Sequence, residues 1–161
     1  MIKYYYEDKN KKELITKIKD IIFENEKCFV KLENSIFYPQ GGGQKGDKGY
    51  LIIEGRKYSI FNTIKDENYN SILIMEDIID KRFINSAVEC FLDWEYRYRQ
   101  MRLHTSLHIY HALIEDEVGK LENPILSTIE DGYAVNKYPE DAFDIGILDE
   151  VTNKFKELIK A

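Results

Sequence analysis

The rhythm of apolar and polar positions changes near residue 93. Before it, short runs rich in β-formers alternate with turn residues. "CFVKLENSIFYP" is one such run and ends at Pro39. "YLIIE" and "RKYSIFNTI" are split only by Gly55, which predicts a hairpin, and "SILIME" follows after the polar loop "KDENYN". In "INSAVECFLDW" the residues Ala87, Glu89 and Phe91 alternate against Val88, Cys90 and Leu92, as in a half-buried strand. Short strands at this spacing predict a small barrel or sandwich. "KKELITKIKDIIFENEK" reads two ways. Leu14, Ile15, Ile18, Ile21 and Ile22 fit a helical period, whereas the β-branched Ile18, Ile21 and Ile22 favour a strand.

After Trp94 the period lengthens. "RLHTSLHIYHALIEDEVG" predicts a helix that stops near Gly119. "TIEDGYAVNKY" predicts strand and turn. "FDIGILDEVTNKFKELIKA" predicts a second helix, with Asp144 as N-cap and Val151, Phe155, Leu158 and Ile159 as its apolar stripe. The expected fold class is therefore α+β, with a β domain over residues 1–93 and an α+β segment over residues 94–161.

Composition narrows this further. With 43% apolar and 32% charged residues, the chain has the make-up of a globular protein, and its 161 residues suit one domain or two small ones. No apolar run approaches the ~20 residues needed to cross a bilayer, and the N-terminus lacks the apolar core of a secretory signal. Cys28 and Cys90 sit among apolar neighbours and are read as core residues, not as a disulfide framework. A cytoplasmic location is the resulting expectation. The net charge of −6 (23 basic against 29 acidic residues) argues against broad coating of nucleic acid and against DNA as a partner. One basic cluster stands out, Arg97, Arg99 and Arg102 in "DWEYRYRQMRLH", which by default is a solvated face or strand edge.

Two stretches carry candidate chemistry. In "FYPQGGGQKGDKGYLIIE" three consecutive glycines, Gly41, Gly42 and Gly43, are flanked by Gln40 and Gln44. Such a run sacrifices backbone order. It serves either a tight turn, with Gln44 holding the loop, or close approach of the backbone to a ligand. The second stretch holds all three histidines of the chain, His104, His108 and His111. His104 and His108 are spaced so that a helix stacks them on one face, a geometry that suits two corners of a tetrahedral zinc site. His104 and His111 are separated by roughly 10.5 Å of helix rise, too far for one metal with bonds of about 2.0–2.1 Å. His111 is thus expected to be a packing or surface residue. A zincin protease needs Glu directly after the first histidine; here that position is Thr105.

The two stretches together resemble the freestanding alanyl-tRNA editing proteins (AlaX type), relatives of the editing domain of alanyl-tRNA synthetase. Phe37 to Gly49 matches the pattern Phe-Tyr-Pro-x-Gly-Gly-Gly-Gln followed by x-x-Asp-x-Gly. Asp93 to His108 matches Asp-Trp, Arg, then Met-Arg-x-His-Thr-Ala-x-His, with Ser106 in place of Ala. The resemblance implies an N-terminal β-barrel followed by an α+β editing domain. It implies trans-editing: hydrolysis of the ester that joins a wrong amino acid, serine or glycine, to the acceptor end of tRNA(Ala). It implies zinc, held by His104 and His108 and by a later Cys-x-x-x-His pair. On this reading Gly42, Gly43 and Gln44 approach the aminoacyl end. Ser35 stands where relatives often carry a threonine that faces the pocket, and either hydrogen-bonds the substrate or its own turn. Arg97, Arg99 and Arg102 become candidates for phosphate contacts.

The second metal pair is missing from these residues, since no histidine follows His111 and no cysteine follows Cys90. The expectation is a piece of a longer protein with two of four zinc ligands. Three readings follow: an aminoacyl-tRNA deacylase, a non-catalytic tRNA-binding fragment, or an unrelated metal-dependent hydrolase.

Overall fold

The structure, a computed structural model, describes residues 1–160. The chain forms two compact units: residues 1–41 with 45–98, and residues 42–44 with 99–161.

The first unit is a closed barrel of six strands. These are β1 (Glu13–Glu24), β2 (Lys27–Leu32), β3 (Gly49–Ile53), β4 (Arg56–Lys65), β5 (Ser71–Met75) and β6 (Ala87–Leu92), in the order β1-β2-β5-β4-β3-β6. Every pairing is antiparallel. A short helix, α1 (Tyr4–Glu7), precedes them. Alternation decides which side chains fill the barrel. Cys28, Val30 and Leu32 of β2, Leu51 and Ile53 of β3, Leu73 and Met75 of β5, and Val88, Cys90 and Leu92 of β6 form one buried cluster. Glu54 and Gly55 turn β3 into β4 with positive φ at both residues (50° and 78°), as a two-residue hairpin requires.

The ambiguous segment is β1, and its pattern has a physical cause. Its pairing with β2 shifts register between Ile18 and Asp20. Thr16 and Ile18 face inward before this bulge and Ile21 after it, so the buried positions jump from even to odd. That jump creates the three-residue spacing that imitates a helix. Ile15, which the helical reading counts as core, is exposed.

The long helix α2 (Trp94–Val118) begins eight residues before the predicted start at Arg102. Asp93 Oδ1 accepts the Tyr96 N–H (3.0 Å), and Gly119 ends the helix in the left-handed conformation at φ 86°. Tyr96, Arg97 and Gln100 are the buried residues of its first turns. Two of these three are polar, so hydropathy alone does not mark the helix.

In the second unit, α2 from Arg99 onward is joined by the hairpin β7 (Leu126–Ile129) and β8 (Ala134–Lys137) and by α3 (Leu148–Leu158). Asp144 caps a 3-10 turn over Ile145–Ile147 that leads into α3; its carboxylate accepts the Gly146 N–H at 2.8 Å. The core here is small: Ile114, Leu121 and Val151, packed by Tyr110, Tyr138 and Phe143 among others. Of the predicted α3 stripe, Val151 is buried and Phe155 packs edge-on against Tyr110, while Leu158 and Ile159 are exposed. No helix among the described residues is long and apolar enough to cross a membrane.

Candidate functional site

Helix α2 brings the histidines together by its period. His104 and His108 lie one turn apart with rings 4.9 Å between centroids and Nε2 atoms 2.9 Å apart. Burial, and then the neighbouring His108 ring, hold His104 below the usual imidazole range, which favours the neutral, ligand form. Both rings line a cavity of about 350 Å³ in the second unit, shared with Gly42, His111, Asn123, Pro124, Ser127 and Asn136.

The glycine run enters this cavity at Gly42. A Cβ on Gly42 would sit 3.9 Å from His104 Cε1, an ordinary contact, and the residue adopts φ 59°. Gly43 is more constrained. At φ 79°, a Cβ there would lie 2.4 Å from the Ser127 carbonyl oxygen. Its own carbonyl accepts the Ile129 N–H at 2.9 Å. The loop thus docks backbone-to-backbone on β7, which only a residue without a side chain permits. Gln44 is buried, at 8% exposure, and the residues that line the cavity do not include it.

His111 has a place that the sequence did not reveal. Its Nδ1 lies 2.7 Å from the Tyr138 hydroxyl, and the two rings are parallel to within 3°. Behind Tyr138 stands Asn136, whose Nδ2 donates to Leu107 O (3.2 Å) and to the Tyr138 hydroxyl (3.4 Å). Asn136 Oδ1 accepts from Ser127 Oγ at 2.7 Å. Burial raises the Tyr138 phenol above its ordinary range, so it stays protonated. The expectation of a packing or surface residue overlooked this network because Tyr138 lies 27 residues downstream of His111. The polar content of "AVNKY" (Asn136, Tyr138) was the available signal.

The remaining candidates lie as follows. Ser35 belongs to the first unit and is fully buried; its Oγ accepts the Phe37 N–H (3.1 Å), the turn-closing bond of the two alternatives. Arg97 is 3% exposed, and its guanidinium is bound by Asp47 through Nε (2.9 Å) and Nη2, by Lys9 O and by Ile36 O. That fork holds the barrel unit together and is not offered to solvent. Arg99 is half exposed and pairs with Asp131 at 3.2 Å. Arg102 is an exposed residue of the same helix, and its carbonyl accepts from Ser106 Oγ (2.8 Å).

The donor set bears on zinc directly. Two imidazoles whose Nε2 atoms lie 2.9 Å apart beside one cavity fit two corners of a zinc shell. Among the described residues no group of three or more His, Cys, Asp or Glu side chains completes it.

Comparison with known proteins agrees with the barrel and its glycine loop. The family described as tRNA synthetases class II (A) matches residues 3–96, more than half of the chain. The chain belongs to this family. It is 32% identical over 160 residues to the alanyl-tRNA editing protein AlaX-M of Pyrococcus horikoshii, covering 98% of this chain and 65% of that protein. To AlaX-M of Saccharolobus solfataricus it is 35% identical over 136 residues, covering 82% of this chain and 54% of the relative. To the alanine–tRNA ligase of Metallosphaera sedula it is 29% identical over 117 residues, covering 73% of this chain and 12% of the ligase. The chain spans less than two thirds of the length of each of these relatives. The match to the Pyrococcus AlaX-M protein runs past residue 96 and so takes in the histidine helix.

Proposed function

We propose that this protein acts in alanyl-tRNA editing, hydrolysing the ester of mischarged Ser- or Gly-tRNA(Ala) at the acceptor end. The observation that carries the reading is that Gly42 and all three imidazoles line a single cavity. The names of the relatives, editing proteins and alanine–tRNA ligases, support the substrate class.

In this reading the backbone at Gly42 forms one wall against the aminoacyl group, in a loop that docks on β7 only because Gly43 carries no Cβ. His104 and His108 would hold zinc at two of its positions, and zinc there would supply positive charge, either to the ester carbonyl or to anchor the amino-acid end. Leu107 and Pro124 give the same cavity an apolar flank. Arg99 and Arg102 are the proposed contacts to the phosphates next to the ester. Water adds to the carbonyl carbon, the bond to the ribose oxygen breaks, and that oxygen takes a proton.

The test is deacylation of Ser-, Gly- and Ala-tRNA(Ala). Turnover of the first two, with Ala-tRNA(Ala) spared and activity lost in His104→Ala, is the expected result. Binding of tRNA without turnover would assign a non-catalytic role. Hydrolysis of unrelated esters without affinity for tRNA would overturn the reading.

A further inference from the structure

We propose that His111 is a catalytic hydrogen-bond donor of the cavity, locked in its Nε2–H tautomer by Tyr138, and that it binds the carbonyl oxygen of the aminoacyl ester. The inference rests on the editing reading for its ligand, but its structural half stands alone.

Four hydrogen bonds favour this tautomer. Leu107 O can only accept, so the group of Asn136 that faces it is the NH₂. Asn136 Oδ1 is then the atom that accepts from Ser127 Oγ. The same NH₂ faces the Tyr138 hydroxyl and donates to it. Of the partners around Tyr138, His111 Nδ1 is the one able to accept the phenolic proton, at 2.7 Å. With Nδ1 accepting, the neutral ring carries its proton on Nε2.

That proton has two consequences. An imidazole protonated at Nε2 and bonded at Nδ1 offers no lone pair to a metal, so His111 is not a third ligand beside His104 and His108. It instead presents an N–H to the cavity that it lines beside His104 and His108. The acyl carbonyl is the acceptor common to every aminoacyl ester, whatever the side chain. A fixed donor there gains strength as water adds and charge develops on that oxygen, which places its effect in kcat more than in KM.

The experiment has two arms. Long-range ¹H–¹⁵N correlation spectra of the full chain read the tautomer. Nε2–H for His111 in the wild type, and a shift toward mixed tautomers in Tyr138→Phe, are expected; Nδ1–H in the wild type overturns the proposal. The second arm measures deacylation of Ser-tRNA(Ala) and binding of 3′-deoxy-3′-(L-serylamino)adenosine, a non-hydrolysable amide. His111→Ala should lower kcat about a hundredfold with KM changed far less, and His111→Gln, which keeps an N–H, should recover part of the loss. Unchanged kcat in His111→Ala, or a loss confined to KM, overturns the role. If the wild type neither hydrolyses the ester nor binds the amide, the editing reading fails and this use of His111 fails with it. If the wild type binds the amide without turnover, only the deacylase assignment fails, and weaker amide binding by His111→Ala still supports the donor.

Discussion

Replacing Asp47 by Asn should cost the barrel about 4 kcal/mol, because it strands a buried guanidinium. Arg97 and Asp47 are 3% and 1% exposed, and Nε and Nη2 both bond the same carboxylate oxygen. Removing one charge of such a pair leaves the other without water or a counter-ion, for which about 3–5 kcal/mol is usual. Arg97→Met should cost a similar amount, for the mirror reason. The double variant Asp47→Asn/Arg97→Met removes both charges. It loses mainly the bonds from Arg97 to Lys9 O and Ile36 O, at about 1 kcal/mol each, so it should be only about 2 kcal/mol less stable than the wild type. The assay is urea unfolding followed by fluorescence of Trp94, the one tryptophan in the chain. At a slope of about 2 kcal/mol per M, each single variant should lower the midpoint by about 2 M, and the double variant by about 1 M. Additive losses, or a single-variant cost under about 1 kcal/mol, would refute the reasoning. The cycle also separates structure from recognition. A phosphate contact at Arg97 would leave urea stability unchanged and alter the salt dependence of tRNA binding.

Three further outcomes are expected. Gly43→Ala should destabilise the second unit well beyond Gly132→Ala, because both pay the left-handed backbone cost of about 1–2 kcal/mol but only Gly43 has a carbonyl 2.4 Å from the new Cβ; equal shifts in thermal midpoint would contradict this. Calorimetric titration with zinc chloride should give an affinity at least about tenfold weaker in His104→Ala and in His108→Ala, and identical isotherms would remove the metal from the site. Burial pushes the Cys90 thiol up to about 12, so the unfolded chain releases that proton first. Its stabilising contribution is therefore complete below pH ~8.5 and declines by about 1.4 kcal/mol per pH unit as pH rises toward the folded value. Cys90→Ala should flatten the slope of urea stability between pH 8.5 and 10, and an unaltered slope would count against it.

How much of this was legible in the sequence depended on where each residue's partner lies. The hairpin at Gly55 and the alternation in β6 were readable because cause and effect sit within a few residues, whereas Asp144 caps the 3-10 turn that precedes α3 and not α3 itself. The closed barrel was one of two outcomes that the strand spacing allowed, and closure depends on the long-range pairing of β1 with β6. β1 was ambiguous because a bulge at Ile18–Asp20 is invisible to periodicity. The early start of α2 was hidden by Arg97 and Gln100, polar residues on a buried face. For Arg97 the sequence reading weighed a phosphate contact against a solvated edge, and neither includes a partner 50 residues away. Within the site, the pairing of His104 with His108 followed from helical spacing, whereas the tie from His111 to Tyr138 required the hairpin to be in place.

The position of the glycine loop explains why the two sequence motifs are separate in the chain yet serve one site. Gly42 to Gln44 are flanked on both sides by barrel sequence, but they belong to the second unit. What holds them there is backbone chemistry: Ile129 N–H to Gly43 O, and the absence of a Cβ facing Ser127 O. Ser127 and Ile129 are both on β7, and Ser127 also anchors Asn136, which orients Tyr138 and through it His111. One strand therefore holds both the glycine loop and, through Asn136 and Tyr138, the third imidazole of the cavity. A chain ending near residue 93 would keep the glycines without their dock, and one starting there would keep the imidazoles without Gly42. The cavity as built needs both segments, and the residue that couples them is Ser127, through its carbonyl to the loop and its hydroxyl to Asn136.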